Sequence, residues 1–458
     1  MKVTLIGGGG FRAPITWEAL SRMGPDLEVE RLVLQDVDRS RLDRVKAVID
    51  GLQAERSGRG PEVLVTTDLH EAVGGSDVIF CAIRAGGLES RIVDETVPLT
   101  EGVLGQETVG PGGICFALRT VPELLEIARV VERRAPTAWF VNFTNPAGLV
   151  TEAVRKVLGD RVIGICDSPA ALCAGVAVAL DRNPNGLRFD YAGLNHLGWL
   201  LRARDGSKDL LPELLEDDSR LGRVEEARMF GTDRLRSLRM IPNEYLIYYE
   251  SPQDIVSTFE RAGVTRAEVL LAIENDFYGC EDGEPGEAAD AWRRARDARF
   301  GSYMSEVWDA IDPSERTVHT ASPPAFADEG PGPAGYAAVA ADLVRAVLGE
   351  EPRDLVLNVP NEGRLSGLDE EAVVEVTCRV SSSGIEAIEG PDLPGPQSAL
   401  VQEIKAVERM TIAAAETGSR QTALDALVAH PVVPSRAVAE RILVGYESSF
   451  PTLARRFG

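Results

Sequence analysis

The chain carries four histidines, at 70, 196, 319 and 430, and six cysteines, at 81, 115, 166, 173, 280 and 378. Two of these ten residues stand where chemistry could occur. Cys166 ends the apolar run RVIGIC and precedes Asp167, and His196 follows a second apolar run in GLNHLGW, beside Asn195. A thiolate and an imidazole form a donor set for Mn, Fe, Co, Ni or Zn. Two protein ligands leave positions open for substrate oxygens, as Lewis-acid catalysis requires. Spacing alone leaves a second reading open, a core thiol and a hydrogen-bonded ring. His70, His319 and His430 are read as structural.

A second candidate lies at the start of the chain. MKVTLIGGGG reads as a strand, a glycine turn and then a helix. Gly7, Gly9 and Gly10 let the backbone approach a pyrophosphate, whose charge the following helix N-terminus favours. The strict G-x-G-x-x-G pattern is broken, because Arg12 stands where its last glycine belongs. Asp36, at the end of the second apolar run, can accept both ribose hydroxyls and repel a 2′-phosphate, which favours NAD over NADP. Arg12 is itself placed to reach a phosphate.

These residues need elements to position them. Apolar runs at 3–6, 32–34, 63–65, 78–83, 139–141 and 162–165 predict strands, separated by helices such as 14–20, 39–52 and 121–131. Continuous apolar strands between helices indicate a parallel sheet covered on both faces, a doubly wound nucleotide-binding fold. Beyond 166 the pattern changes. Residues 189–194 and 199–203 predict strands paired around Gly198, followed by a mostly helical region to about 310. Residues 321–335 read as a loop, 338–347 as helix, 354–359 and 372–380 as strands, and 402–417 as a long helix. The expected division is residues 1–166, a Rossmann-like NAD-binding domain, and 167–458, an α+β substrate- and metal-binding domain.

Composition narrows the partners. At 458 residues, two domains or one large fused unit is expected. The net charge is -24, from 72 acidic and 48 basic residues, and it disfavours nucleic acid and anionic membranes. An anionic substrate would need a few placed arginines. No signal-like leader and no run of 18 apolar residues is present, so a cytoplasmic protein with reduced thiols and no membrane span is expected.

Taken together, GGGG, GQETVGPGGICFALR (105–119), VNFTNPAG (141–148), GICDSP (164–169), GLNHLGW (193–199), NEYLIYY (243–249) and LNVPN (357–361) occur in one order. This resembles glycoside hydrolase family 4, the NAD- and metal-dependent glycosidases, over nearly the whole chain. The resemblance implies a lactate/malate dehydrogenase-like fold overall and a homodimer or homotetramer. It implies Cys166 and His196 as ligands of a divalent metal, usually Mn²⁺. Tyr245 matches the base that takes the proton from C2 of the sugar, and Asp167 is a second catalytic candidate. Arg91, Asn145 and Asn195 match substrate-binding positions, Asn195 also being the polar neighbour of the metal histidine. Arg266 resembles an arginine that holds a 6-phosphate. The implied reaction oxidises C3 with hydride passing to NAD⁺, removes the C2 proton, eliminates the aglycone, adds water and returns the hydride.

Departures matter too. Cys-Asp-x-Pro resembles the 6-phospho-α-glucosidases, whereas NEYLIYY and LNVPN look more like the β type. A 6-phospho-β-glucosidase is the first expectation and the α type the second. The GGGGFRAP loop departs as well, since the family more often has Ser or Thr near positions 10 to 13. Two other readings compete: a 2-hydroxy-acid dehydrogenase, which would consume NAD⁺ in proportion to product, and a non-catalytic NAD-sensing protein.

Overall fold

A computed structural model describes residues 1–23, 29–56, 60–280, 285–311, 336–349 and 352–458. His319 and the loop expected over 321–335 lie outside the described residues. The six apolar runs of the first third form strands β1 (Lys2–Ile6), β2 (Arg31–Gln35), β3 (Glu62–Thr66), β4 (Val78–Cys81), β5 (Trp139–Asn142) and β6 (Val162–Gly164). They are parallel and ordered β3-β2-β1-β4-β5-β6, the doubly wound order. Their side chains alternate between two cores. Leu5, Phe80 and Val141 enter one, whereas Ile6, Ile79 and Phe140 enter the other. Each such side chain contributes about 1.5–3 kcal/mol on burial, so neither face of the sheet can be left uncovered. β4 and β6 end sooner than their apolar runs, at Cys81 and Gly164, although the Ile165 N–H still bonds the Asn142 carbonyl of β5 at 3.0 Å.

The remaining strands extend the same sheet. They are β7 (Arg188–Leu194), β8 (Leu197–Asp205), β9 (Lys208–Asp209), β10 (Ile241–Pro242), β11 (Arg353–Pro360), β12 (Val373–Ser381) and β13 (Gly384–Ala387). β6 meets β11 antiparallel at one register pair, Gly164 with Asn358. β11, β12, β7, β8 and β10 then follow in that order. Among the described residues the whole is one 13-stranded sheet.

The β7–β8 pairing matches the expectation, but its turn does not. The turn is Asn195–His196, and Gly198 lies inside β8 opposite Gly193. The reason is packing. A Cβ on Gly198 would stand 2.5 Å from the Tyr191 hydroxyl, so the glycine serves a close approach and not a reversal. The helix expected over 402–417 runs from Gly395 to Thr417, and three more helices follow it. None of the six cysteines is paired. No described helix is long and apolar enough to cross a membrane.

Candidate active site

The crevice of a doubly wound sheet opens where strand order reverses, here at the carboxyl ends of β1 and β4. The glycine loop leaves β1 at that point. Gly7 and Gly8 donate their N–H groups to the Gln35 carbonyl at 2.8 and 2.7 Å. Gly7 has φ +84°, and a Cβ there would meet the Ala82 carbonyl oxygen at 2.5 Å. The Gly9 N–H donates to Asp36 Oδ2 at 3.0 Å. The structure therefore brings Gly7, Gly9, Gly10 and Asp36 together. Tyr278 secures the loop from the other half of the chain, donating its hydroxyl to the Gly9 carbonyl at 2.8 Å.

The carboxyl end of β6 carries Cys166, and the β7–β8 turn carries His196. Cys166 Sγ and His196 Nε2 stand 3.5 Å apart, both buried. Ligand bonds near 2.0–2.3 Å meeting at a metal at 90–109° place sulfur and nitrogen roughly 3.1–3.5 Å apart. The pair fits a divalent cation. Burial holds His196 near a pKa of about 3, so its ring is the neutral form that a metal needs. With Nε2 facing Cys166, Nδ1–H donates to Thr108 Oγ1 at 2.8 Å. Thr108 Oγ1 donates in turn to Gln106 Oε1 at 2.9 Å. Such a partner orients a metal-binding imidazole. Among the described residues no three His, Cys, Asp or Glu side chains gather into a metal cluster.

Tyr245 lies flat on His196, with ring centroids 3.6 Å apart and planes 1° from parallel. Asn243 initiates the short turn Glu244–Leu246, and its side chain accepts the Tyr245 N–H. The Tyr303 hydroxyl donates to Glu244 at 2.7 Å and lies 3.3 Å from the Tyr245 hydroxyl. Burial pushes the Tyr245 phenol well above its usual pKa, and Glu244 adds to the rise; a divalent cation nearby acts in the opposite direction. Asp167, the residue before helix Ser168–Ala179, is near enough to raise the carboxyls of both Glu244 and Glu375.

Asn145 precedes a cis peptide to Pro146, and its Oδ1 is buried with no hydrogen-bond partner. A buried acceptor of this kind fits a substrate hydroxyl. Asn195 is different. Its Oδ1 accepts the Ala147 N–H at 2.9 Å, and its Nδ2 donates to Glu375 at 3.2 Å. Each end of that amide thus makes a hydrogen bond to the framework.

Arg91 is buried between Glu95 at 2.6 Å and Glu107 at 2.9 Å. Burial works to raise Glu107, but Arg84 and Arg91 outweigh it and hold the carboxyl at about 2. Arg266 donates to Ser302 at 2.5 Å and to the Arg299 carbonyl at 2.9 Å. Arg299 is lowered to about 10, first by burial and then by the charges of Arg12, Arg266 and Arg91. Arg12, Arg91 and Arg266 thus lie close enough to Arg299 to act on its charge, while Glu95 and Glu107 pair with Arg91 and Glu274 pairs with Arg299. Sequence reasoning misses Arg84, Arg299, Thr108 and Glu375. Only Thr108 falls within one of the ordered motifs, and none of the four carries a spacing signal of its own.

Residues 2–182 match the model of the family 4 glycosyl hydrolases, and residues 191–433 match that of the family 4 glycosyl hydrolase C-terminal domain. A probable 6-phospho-beta-glucosidase of Bacillus subtilis (strain 168) is 32% identical over 97% of this chain and 95% of its own length. The 6-phospho-beta glucosidase of Thermotoga maritima, solved with manganese, NAD⁺ and glucose-6-phosphate, superposes with a TM-score of 0.79 at 25% identity, covering 98% of both chains. A 6-phospho-alpha-glucosidase from gut microorganisms, solved with NAD and Mn²⁺, also gives a TM-score of 0.79 at 25% identity, covering 99% of this chain and 98% of that one. A malate dehydrogenase of Plasmodium falciparum shares the fold alone, with 12% identity and a TM-score of 0.50, covering 93% of this chain and 99% of that one.

Proposed function

The chain belongs to glycosyl hydrolase family 4, and from that premise we propose that it hydrolyses a 6-phosphorylated glucoside using NAD and a divalent metal, Mn²⁺. One observation carries the reading: a buried thiol and imidazole 3.5 Å apart, at the end of a strand of the dinucleotide sheet, with a tyrosine ring stacked on the imidazole. When bound, NAD⁺ would supply reversible hydride acceptance at C3 of the sugar, and a divalent metal would supply Lewis-acid polarisation of the sugar oxygens.

The chain's own residues do the rest. Gly7, Gly9, Gly10 and Asp36 bind the dinucleotide, and Cys166 and His196 hold the metal. Tyr245, fixed by its stack on His196, removes the C2 proton as general base. Asn145 offers its unpaired oxygen to a sugar hydroxyl. Arg91 and Arg266, with Arg12 and Arg299 beside them, bind the phosphate end. Asp167 assists departure of the leaving oxygen. In this reading residues 1–166 carry the cofactor and residues 167–458 most of the sugar and metal contacts.

The β anomer is the first choice, on the likeness of NEYLIYY and LNVPN to the β type. Asp167 supports the α anomer as the second reading, because a carboxylic acid at that position can protonate an axial leaving oxygen. A panel of p-nitrophenyl α- and β-glucosides, with and without 6-phosphate, decides between them under reducing conditions. Release of nitrophenol should require both NAD⁺ and Mn²⁺, favour the phosphorylated sugars and leave no net NADH. Hydrolysis independent of both additions refutes the mechanism. Stoichiometric NADH from a 2-hydroxy acid would point to a dehydrogenase instead.

A further inference from the structure

The sheet holds a polar row at its centre that the reaction does not use. In register across five strands stand Gly164, Asn358, Glu375, Gly193 and Gly198. Glu375 and Asn358 are each 0% exposed. Gly164 makes room for Asn358, and Gly198 for the Tyr191 hydroxyl that bonds Glu375. A Cβ on Gly164 would stand 2.9 Å from the Cβ of Asn358, and one on Gly198 would strike the Tyr191 hydroxyl. Glu375 Oε1 accepts from Asn358 Nδ2 at 2.9 Å and from Asn195 Nδ2 at 3.2 Å, while Oε2 accepts from the Tyr191 hydroxyl at 3.3 Å.

The Asn195 amide has only one possible orientation. Its oxygen takes the Ala147 N–H, which can only donate, so its nitrogen must face the carboxylate. Asn195 adjoins His196 in the β7–β8 turn. Asn358 pairs with Gly164, two residues before Cys166. One carboxylate oxygen therefore joins the segment bearing the thiol to the turn bearing the imidazole.

We propose that Glu375 is a positioning residue that sets the separation of Cys166 and His196 through Asn358 and Asn195. The inference rests on those two residues being the metal ligands. An ionisable group buried in mid-sheet is costly unless it is fully hydrogen-bonded, and a same-sized apolar residue would fill the space without that cost. Burial raises Glu375 to about 7, against the pull of its three donors. His196 adds to the need for a tether: with φ +63° it holds a left-handed backbone that a non-glycine residue seldom keeps unaided.

The test measures metal affinity, not turnover. Mn²⁺ is titrated into the full-length protein with NAD⁺ present and followed by the loss of its free electron-paramagnetic-resonance signal; NAD⁺ affinity is measured separately. Glu375→Ala should weaken Mn²⁺ binding about 10–100-fold, the range for residues that orient metal ligands, with NAD⁺ affinity unchanged. Glu375→Gln keeps an oxygen for both amides and should recover most of the loss. If the alanine variant does not fold, Asn358→Leu takes its place, with a smaller loss expected in the same direction. Unchanged Mn²⁺ affinity in the folded variants overturns the proposal, as does an equal loss of NAD⁺ affinity. If the unaltered protein itself binds no Mn²⁺, the metal assignment fails instead.

Discussion

The glycine loop and the His196 turn serve neighbouring parts of one crevice and are built by opposite means. At the loop the main chain does the work. Gly7 takes its positive φ without penalty, its N–H bonds a β2 carbonyl, and the side chains of Asp36 and Tyr278 brace the main chain of Gly9. At the turn the side chains do the work. His196 accepts a left-handed backbone and gathers Thr108, Cys166 and Tyr245 around its ring, from three distant segments. A left-handed non-glycine residue costs of order 1–3 kcal/mol, which the surrounding contacts must offset. The site made of backbone draws mainly on residues close by in the chain, Tyr278 being the exception, whereas the site made of side chains depends on residues far away.

Three substitutions sharpen or break this contrast. Cys166→Ser should cause the largest change, since a metal-stabilised step is worth several kcal/mol. Metal-dependent turnover should fall about 10³-fold or more, while NAD⁺ binding measured by calorimetry stays intact. Chelation of the unaltered protein should mimic it and Mn²⁺ should reverse it; a variant with undiminished turnover removes Cys166 from the metal. Gly7→Val attacks the other side. Its Cβ meets the Ala82 carbonyl at 2.5 Å under a positive φ, so a loss of about 1–3 kcal/mol in stability and of NAD⁺ binding is expected. Mn²⁺ affinity should survive in the folded fraction, and its parallel loss would mean that the two sites are one cooperative structure. Asp36→Asn is the mildest. Losing charge-assisted hydrogen bonds to a ribose should weaken NAD⁺ about tenfold and narrow the preference over NADP; equal affinity for both cofactors in the unaltered protein would contradict the role of Asp36.

What the sequence makes legible follows the same contrast. The six parallel strands are readable because each is a continuous apolar run, buried on both faces in the inner strands and half-exposed only at the edge strand β3. The glycine loop and Asp36 are readable because their spacing is local. Cys166 and His196 are visible as residue types, but their meeting is not. It depends on β11 and β12, late in the chain, entering the sheet between β6 and β7. Asn195 is legible as the neighbour of His196, but nothing in GLNH announces the carboxylate that its amide meets. Arg299 sits in a helix with several other arginines, AWRRARDARFG, and only the fold singles it out. Gly198 looks like a turn residue because the need for a close approach leaves the same mark in sequence as the need for a reversal.

That late insertion has a consequence for the order of assembly. A ribosome delivers β1 to β6 first, and those strands can pair among themselves as soon as they emerge. β6 then presents a bare edge until residues 353–360 arrive, and β7 cannot join the sheet before β12 is made. Exposed strand edges invite the wrong neighbour, and pairing across long sequence separations is slow. The nascent first half is therefore a stage at which an open edge invites wrong pairing, and a chain stopped before residue 353 lacks both strands that stand between β6 and β7.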